Sequence, residues 1–180
     1  YKLKIHLSKF LPLLIVTFFM LIFAINLNIS KEDKKIDQLK SPLINQNIPK
    51  KPIRLFQKNE IIELKNIYSN LYAVNFFASW CLPCKIEAPS IKLLSKKIPV
   101  FGVAFKDREK NILDFLESYG NPYDKIGIDK DGLLGIEWGV YGIPETFIIN
   151  KKGQIIYKYT GPLDIHELEK NIYDLIKNER

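Results

Sequence analysis

Cys81 and Cys84 are the two cysteines of the 180-residue chain, and two residues separate them. A single local pair at that spacing can hold half of a zinc site, close a static disulfide, or cycle between dithiol and disulfide. Zinc needs three protein ligands in a catalytic site and four in a closed structural one. No second cysteine pair exists; His6 lies ahead of the long uncharged run described below, and His166 lies off the apolar stripe of the last helical segment. A static bridge across so short a loop removes little chain entropy and makes a poor staple. Redox cycling fits best, and no metal or cofactor beyond the cysteine pair is expected. The pair follows an apolar run and opens a helical pattern, so Cys81 falls at a helix N-terminus, where unpaired N–H groups and the helix dipole stabilise a thiolate. Cys81 is then the nucleophile. Cys84, one turn along and more deeply buried, attacks the mixed disulfide on Cys81 and releases the substrate.

Leu71–Ala78 (LYAVNFFA) is apolar and aromatic, as expected of a strand covered on both faces. From Cys81 to about Lys97, Ile86, Ile91, Leu94 and Ile98 fall at roughly helical spacing, with Pro89 inside the run. Val100–Phe105 reads as a second buried strand, and Asp107 as the cap of a helix through about Tyr119 that stops at Gly120-Asn121-Pro122. Thr146–Asn150 and Gln154–Tyr159 read as a hairpin. Asp164 and Glu167 form a capping-box-like start for a last helix, whose apolar face is Ile165, Leu168, Ile172, Leu175 and Ile176. The pattern is a parallel βαβ half followed by a ββα half, an α/β domain spanning 47–180.

Ahead of it, residues 10–30 run for 21 residues without a charge, long enough as a helix to span about 31 Å, the thickness of a bilayer core. Lys2, Lys4 and Lys9 precede this run without an acid, whereas the charges after it are mixed, so residues 1–9 are expected in the cytoplasm and Lys31 onward outside. A cleaved signal peptide is the rival reading. Its apolar core would be shorter and followed by small residues, whereas Phe, Ile, Leu and Asn fill the exit here. Residues 31–46 are polar, contain Pro42 and read as a tether. The net charge of +7 is concentrated in part at the N-terminus and forms no basic stripe elsewhere, so no nucleic-acid partner is expected.

The stretch Asn75-Phe76-Phe77-Ala78-Ser79-Trp80-Cys81-Leu82-Pro83-Cys84-Lys85 resembles the active-site segment of the thioredoxin superfamily. Gly139-Val140-Tyr141-Gly142-Ile143-Pro144-Glu145-Thr146-Phe147 resembles the segment that bears its cis-proline. With Ser41-Pro42-Leu43, Lys106-Asp107, Gly120-Asn121-Pro122-Tyr123 and the apolar N-terminal run, the resemblance narrows to the membrane-anchored thiol:disulfide interchange proteins of cytochrome c biogenesis, the CcmG/DsbE type. One departure is Leu82-Pro83 between the cysteines, where Pro-Thr is familiar in that group. The resemblance implies a thioredoxin-like fold, a central mixed sheet flanked by helices, with an N-terminal transmembrane helix. It also implies a redox-active Cys81–Cys84 disulfide and a cis bond between Ile143 and Pro144 beside it, placed so that backbone groups near Ile143 can pair with an extended substrate. Trp80 and Pro83 are candidates for substrate contact or tuning, and Glu87 and Glu145 for proton transfer, because Asn75 stands where thioredoxins often place a buried Asp and cannot take a proton. Asp129–Val140 resembles an insertion that shapes a partner groove, with Trp138 and Leu133 read as core.

The function this implies is reduction, in the periplasm of a bacterium and at its inner membrane, of the cysteines of apocytochrome c or of a dithiol carrier acting on them. The electrons would come from a transmembrane relay resembling CcdA or DsbD. A general periplasmic oxidase or isomerase could use the same residues, since direction follows reduction potential. A copper-binding assembly factor of the same fold would need a wider cysteine spacing and a well-placed His.

Overall fold

The computed structural model describes the backbone of residues 2–32 and 41–179, in two compact units divided after Leu39. The first holds one helix, α1 (Lys2–Glu32), whose described side chains, from Phe10 to Ile25, are exposed and apolar apart from Thr17. Among the described residues no helix is long and apolar enough to cross a membrane. The described side chains of α1 are fewer than the about 20 residues that a span needs. Half of the expected tether, residues 33–40, lies outside the described residues. Its far end belongs to the folded unit instead. Asn45 N donates to Ile155 O at 2.7 Å and Ile155 N to Gln46 O at 3.0 Å, while Leu43 and Ile44 pack on the core. Apolar side chains in a nominal linker explain this earlier start.

The second unit is built on a seven-stranded mixed sheet in the order β2-β1-β5-β4-β3-β6-β7. The strands are β1 (Ile53–Leu55), β2 (Ile61–Ile62), β3 (Tyr72–Phe77), β4 (Val100–Phe105), β5 (Lys125–Asp129), β6 (Glu145–Ile149) and β7 (Ile155–Thr160). β3, β4 and β5 run parallel, and β6, β7 and the β1–β2 pair are antiparallel to their neighbours. Every residue of β3 is buried because alternate side chains enter different cores. Ala73 and Phe77 join Ile91 and Leu94 of α2 (Leu82–Ser95), Ile112 and Phe115 of α3 (Glu109–Tyr119), and Leu168, Ile172 and Ile176 near the C-terminus. Tyr72, Val74 and Phe76 join Phe147 and Trp138, the latter following α4 (Leu133–Glu137). Trp138 is core as expected, but Leu133 is largely exposed, being on the outer side of that short helix.

Several local expectations need correction. Ile86 is exposed and Glu87 buried, because the inward stripe of α2 runs Cys84, Glu87, Ala88, Ile91, Leu94. The C-terminal helix is interrupted: α5 (Ile165–Glu167) passes into a π-helical turn at Leu168–Ile172 and then α6 (Tyr173–Asn178). That wider turn changes the phase of the stripe, so Leu168, Ile172 and Ile176 are buried while Ile165 stays exposed. Asp164 does cap this start, accepting from Glu167 N at 2.7 Å. Asp107 does not cap α3, whose N-cap residue is Arg108.

Gly102 of β4 faces the ring of Tyr123. A Cβ there would lie 2.9 Å from Tyr123 Cδ1 and Cγ, so only glycine lets the phenol lie across the strand and stack on Phe77 at 4.6 Å between centroids. Gly102→Ala is expected to lower stability by about 1–3 kcal/mol in chemical denaturation through overpacking; an unchanged midpoint would show that the ring is not held this closely.

Candidate active site

β3 ends at Phe77, and the chain turns through Ala78-Ser79-Trp80 before α2 starts. This turn is pinned from the neighbouring strand. Asp107, just past β4, accepts from Ser79 N at 2.6 Å and from Ser79 Oγ at 3.0 Å, and Trp80 Nε1 donates to Lys106 O at 3.3 Å. Asp107 is therefore a site-positioning residue that sequence reasoning assigned to a helix cap. An acid directly after an apolar strand next to the Cys-bearing strand was the available signal.

Cys81 is the N-cap residue of α2 and accepts from Cys84 N at 3.2 Å. Its backbone is extended, and Pro83 follows within the first turn, where a missing N–H costs nothing. The two cysteines are joined as a disulfide with their Cα atoms 5.3 Å apart. Both are almost wholly buried, Cys81 at 4% and Cys84 at 2%, so the expected difference in exposure is small. On the other side of Cys81 lies Ile143, whose carbonyl oxygen is 3.6 Å from Cys81 Sγ, and the Ile143–Pro144 peptide bond is cis. Trp80, Leu82 and Ile86 surround the pair with exposed apolar surface.

Beneath the thiols, on the face of the sheet that α2 covers, is a buried polar chain. Asn75 Nδ2 donates to Glu87 Oε1 at 2.9 Å and to Thr146 Oγ1 at 3.1 Å, and Tyr123 Oη donates to Asn75 Oδ1 at 2.8 Å. Leu163 N donates to the other Glu87 oxygen at 2.9 Å. Burial pushes the Glu87 carboxyl up to about 7, against the downward pull of the Leu163 and Asn75 donors. Burial and the Glu87 charge together raise Tyr123 well above its ordinary value, so it stays a neutral donor.

Glu145 lies on the opposite face. It is fully buried, pairs across the sheet with Phe76, and its Oε2 is 2.9 Å from Lys158 Nζ. Burial raises its pKa, and Lys158 opposes the shift. The two carboxylates that looked equivalent in the sequence are thus separated by the sheet. Tyr123, Thr146 and Lys158, to which the sequence assigned no role in the site, complete the two clusters. The hairpin alternation places Thr146 inward, but no local pattern announces Tyr123.

A family model described as redoxin matches residues 55–176. The chain is similar to the thiol:disulfide interchange protein CycY of Rhizobium leguminosarum bv. viciae, 48% identical over 98 residues that make up 53% of each chain. It is also similar to the thiol:disulfide interchange protein DsbE of Haemophilus influenzae, 30% identical over 181 residues, 94% of this chain and 96% of that one. The match thus spans about half the length of the first relative and nearly all of the second. A crystal structure from Chlorobium tepidum, described as a thiol:disulfide interchange protein DsbE, superposes with a TM-score of 0.63 at 21% identity over 74% of this chain and 97% of that one, which shows the shared thioredoxin-like fold.

Because its folded pKa exceeds the ordinary glutamate value of about 4.5, Glu87 binds its proton more tightly in the native state. Its contribution to stability is full below about 4.5 and is lost as pH rises to about 7, a change of about 3 kcal/mol at most. Glu87→Gln is expected to flatten the stability profile across that window in denaturant titrations at stepped pH. A Gln variant that keeps the wild-type slope would remove Glu87 as its source.

Proposed function

Since this chain belongs to the redoxin family, and within it to the thiol:disulfide interchange proteins of the DsbE type, we propose that it is a membrane-tethered reductase of the cysteines of apocytochrome c, or of a dithiol carrier acting on them. The observation that carries this reading is Cys81 Sγ itself, which has the Cys84 N–H 3.2 Å away at a helix start and the Ile143 carbonyl 3.6 Å away on the other side. The helix terminus supplies partial positive charge to a thiolate, and the backbone beside Ile143 offers an edge to an extended polypeptide.

In the reduced protein the Cys81 thiolate attacks one sulfur of the substrate disulfide. That S–S bond breaks, a bond to Cys81 forms, and the departing substrate thiolate takes a proton from water. Cys84 then loses its proton and attacks Cys81 Sγ; the mixed disulfide breaks, the second substrate thiolate leaves, and the Cys81–Cys84 bond closes. Two electrons pass to the substrate. Glu87, one turn after Cys84 and titrating at about 7, is suited to accept the Cys84 proton. A transmembrane dithiol relay resembling CcdA or DsbD restores the reduced pair. Trp80 and Pro83 border the substrate path, and Glu145 supports the Ile143–Pro144 segment.

The membrane anchor in this reading is the uncharged run 10–30, with residues 1–9 in the cytoplasm and the folded unit in the periplasm. A reductase in an oxidising space must be resupplied with electrons and must recognise few targets. Haem attachment to a Cys-x-x-Cys-His segment needs both thiols free.

Cys84→Ser is expected to accumulate a mixed disulfide with substrate on non-reducing gels, and Cys81→Ser to accumulate little; the reverse pattern would exchange the two roles. Deletion of the protein is expected to lower covalently bound c-type haem while leaving most periplasmic disulfides intact, with partial restoration by an added small thiol. Normal haem staining alongside broad loss of disulfide-dependent proteins would replace this reading with a general oxidase or isomerase.

A further inference from the structure

Lys158 sits on β7, at the edge of the sheet, yet its side chain is only 4% exposed. Lysine is almost never buried to this degree without partners, and its partners here are unusual in their placement. Nζ donates to Gly139 O at 2.7 Å, lies 2.9 Å from Glu145 Oε2, and stands 4.3 Å from the centroid of the Tyr141 ring. Phe147 closes the other side at 5.2 Å. Gly139 and Glu145 are the two ends of the loop that carries the Ile143–Pro144 cis bond. One ammonium therefore joins both ends, and Tyr141 N adds a donor to Glu145 Oε1 at 3.4 Å. Gly139 reaches its place with a φ of +57°, which bends the chain so that its carbonyl meets the cation. Between the ends, Tyr141 is 76% exposed, and Ile143 turns its carbonyl to Cys81. The cation cannot reach solvent and touches no sulfur, so the exchange steps make no use of it.

We propose that Lys158 is a positioning residue for protein substrates: it holds the 139–145 loop closed around its ammonium, so that Tyr141 and the backbone at Ile143 form a fixed edge against which an extended polypeptide lies beside Cys81. This rests on the thiol-exchange reading above. The cation–π contact holds the Tyr141 ring from below and leaves its outer face for the partner. A small dithiol needs access to the Cys81–Cys84 bond but no edge to lie on, so the role separates substrates by size. A lysine that only stabilised the fold would make no such distinction.

The test uses the full chain in detergent micelles and two reactions followed by rapid mixing. One is reduction of the Cys81–Cys84 disulfide by dithiothreitol. The other is reduction, by the reduced protein, of a disulfide-closed peptide containing Cys-x-x-Cys-His. Lys158→Met is expected to slow the peptide reaction about tenfold or more, since small misplacement of a substrate-positioning element costs rate steeply, and to leave the dithiothreitol rate within about twofold of wild type. Lys158→Arg, which keeps the charge facing Glu145, is expected to recover most of the peptide rate. A wild-type peptide rate in Lys158→Met, or equal losses in both reactions, overturns the proposal. Should thermal unfolding show that Lys158→Met is not folded, Tyr141→Leu carries the test from the surface: its peptide rate must fall at least about threefold, and an unchanged rate overturns the proposal. A wild-type chain that reacts with dithiothreitol but never with the peptide fails at the functional reading instead, and takes this inference with it.

Discussion

The first turn of α2 has N–H groups with no helical partner, and the sulfur of Cys81 is the acceptor placed to meet one of them. Much of the second unit serves to keep that acceptor in place. β3 is buried along its whole length, so its end is a fixed point; Asp107 ties the following turn to the neighbouring strand; and the stripe from Cys84 to Leu94 presses α2 onto the sheet. From the other side, the Ile143–Pro144 segment brings a backbone carbonyl to the same sulfur. The cysteine pair is thereby almost wholly buried, while the neighbouring side chains of Trp80, Leu82 and Ile86 stay exposed.

The sheet also separates two electrostatic tasks. On the α2 face, Asn75, Thr146, Tyr123 and Glu87 form a chain in which every described contact is a neutral or single-charge hydrogen bond, and burial leaves Glu87 free to change protonation near neutrality. On the opposite face, Glu145 is buried against a cation. Burial raises both carboxyls, but at Glu145 a lysine opposes the shift, whereas at Glu87 only neutral donors do. The same residue type thus sits on opposite faces of the sheet, Glu87 among neutral donors and Glu145 against Lys158.

The central elements were legible because each has a strong local signal. Val100–Phe105 is apolar throughout and matches β4 residue for residue, and the hairpin and the Asp164 cap follow from turn and capping chemistry. The short elements were not. β1 and β2 have three and two residues, and β5 (KIGID) has only two apolar side chains, separated by a glycine, so their pairing depends on partners distant in sequence. In the site, Cys81, Cys84 and the Ile143–Pro144 bond were readable from spacing and resemblance. Glu87 was readable as a candidate but not as a buried group, because Ile86 beside it suggested the wrong phase for the helix. Lys158 looked like an ordinary strand cation, since nothing in its neighbours Tyr157 and Tyr159 reveals that Gly139 and Glu145 come to meet it.

The account depends most on the claim that the start of α2 makes Cys81, and not Cys84, the thiolate. The direct measurement is a pH titration of the reduced protein followed by the ultraviolet absorbance of thiolate, repeated on Cys84→Ser and Cys81→Ser. The expected result is one group, retained in Cys84→Ser, that ionises below the ordinary thiol value of about 8.5, and a second, retained in Cys81→Ser, that ionises at or above it. Both thiols ionising at about 8.5 or higher, or the lower value following Cys84, would contradict the account.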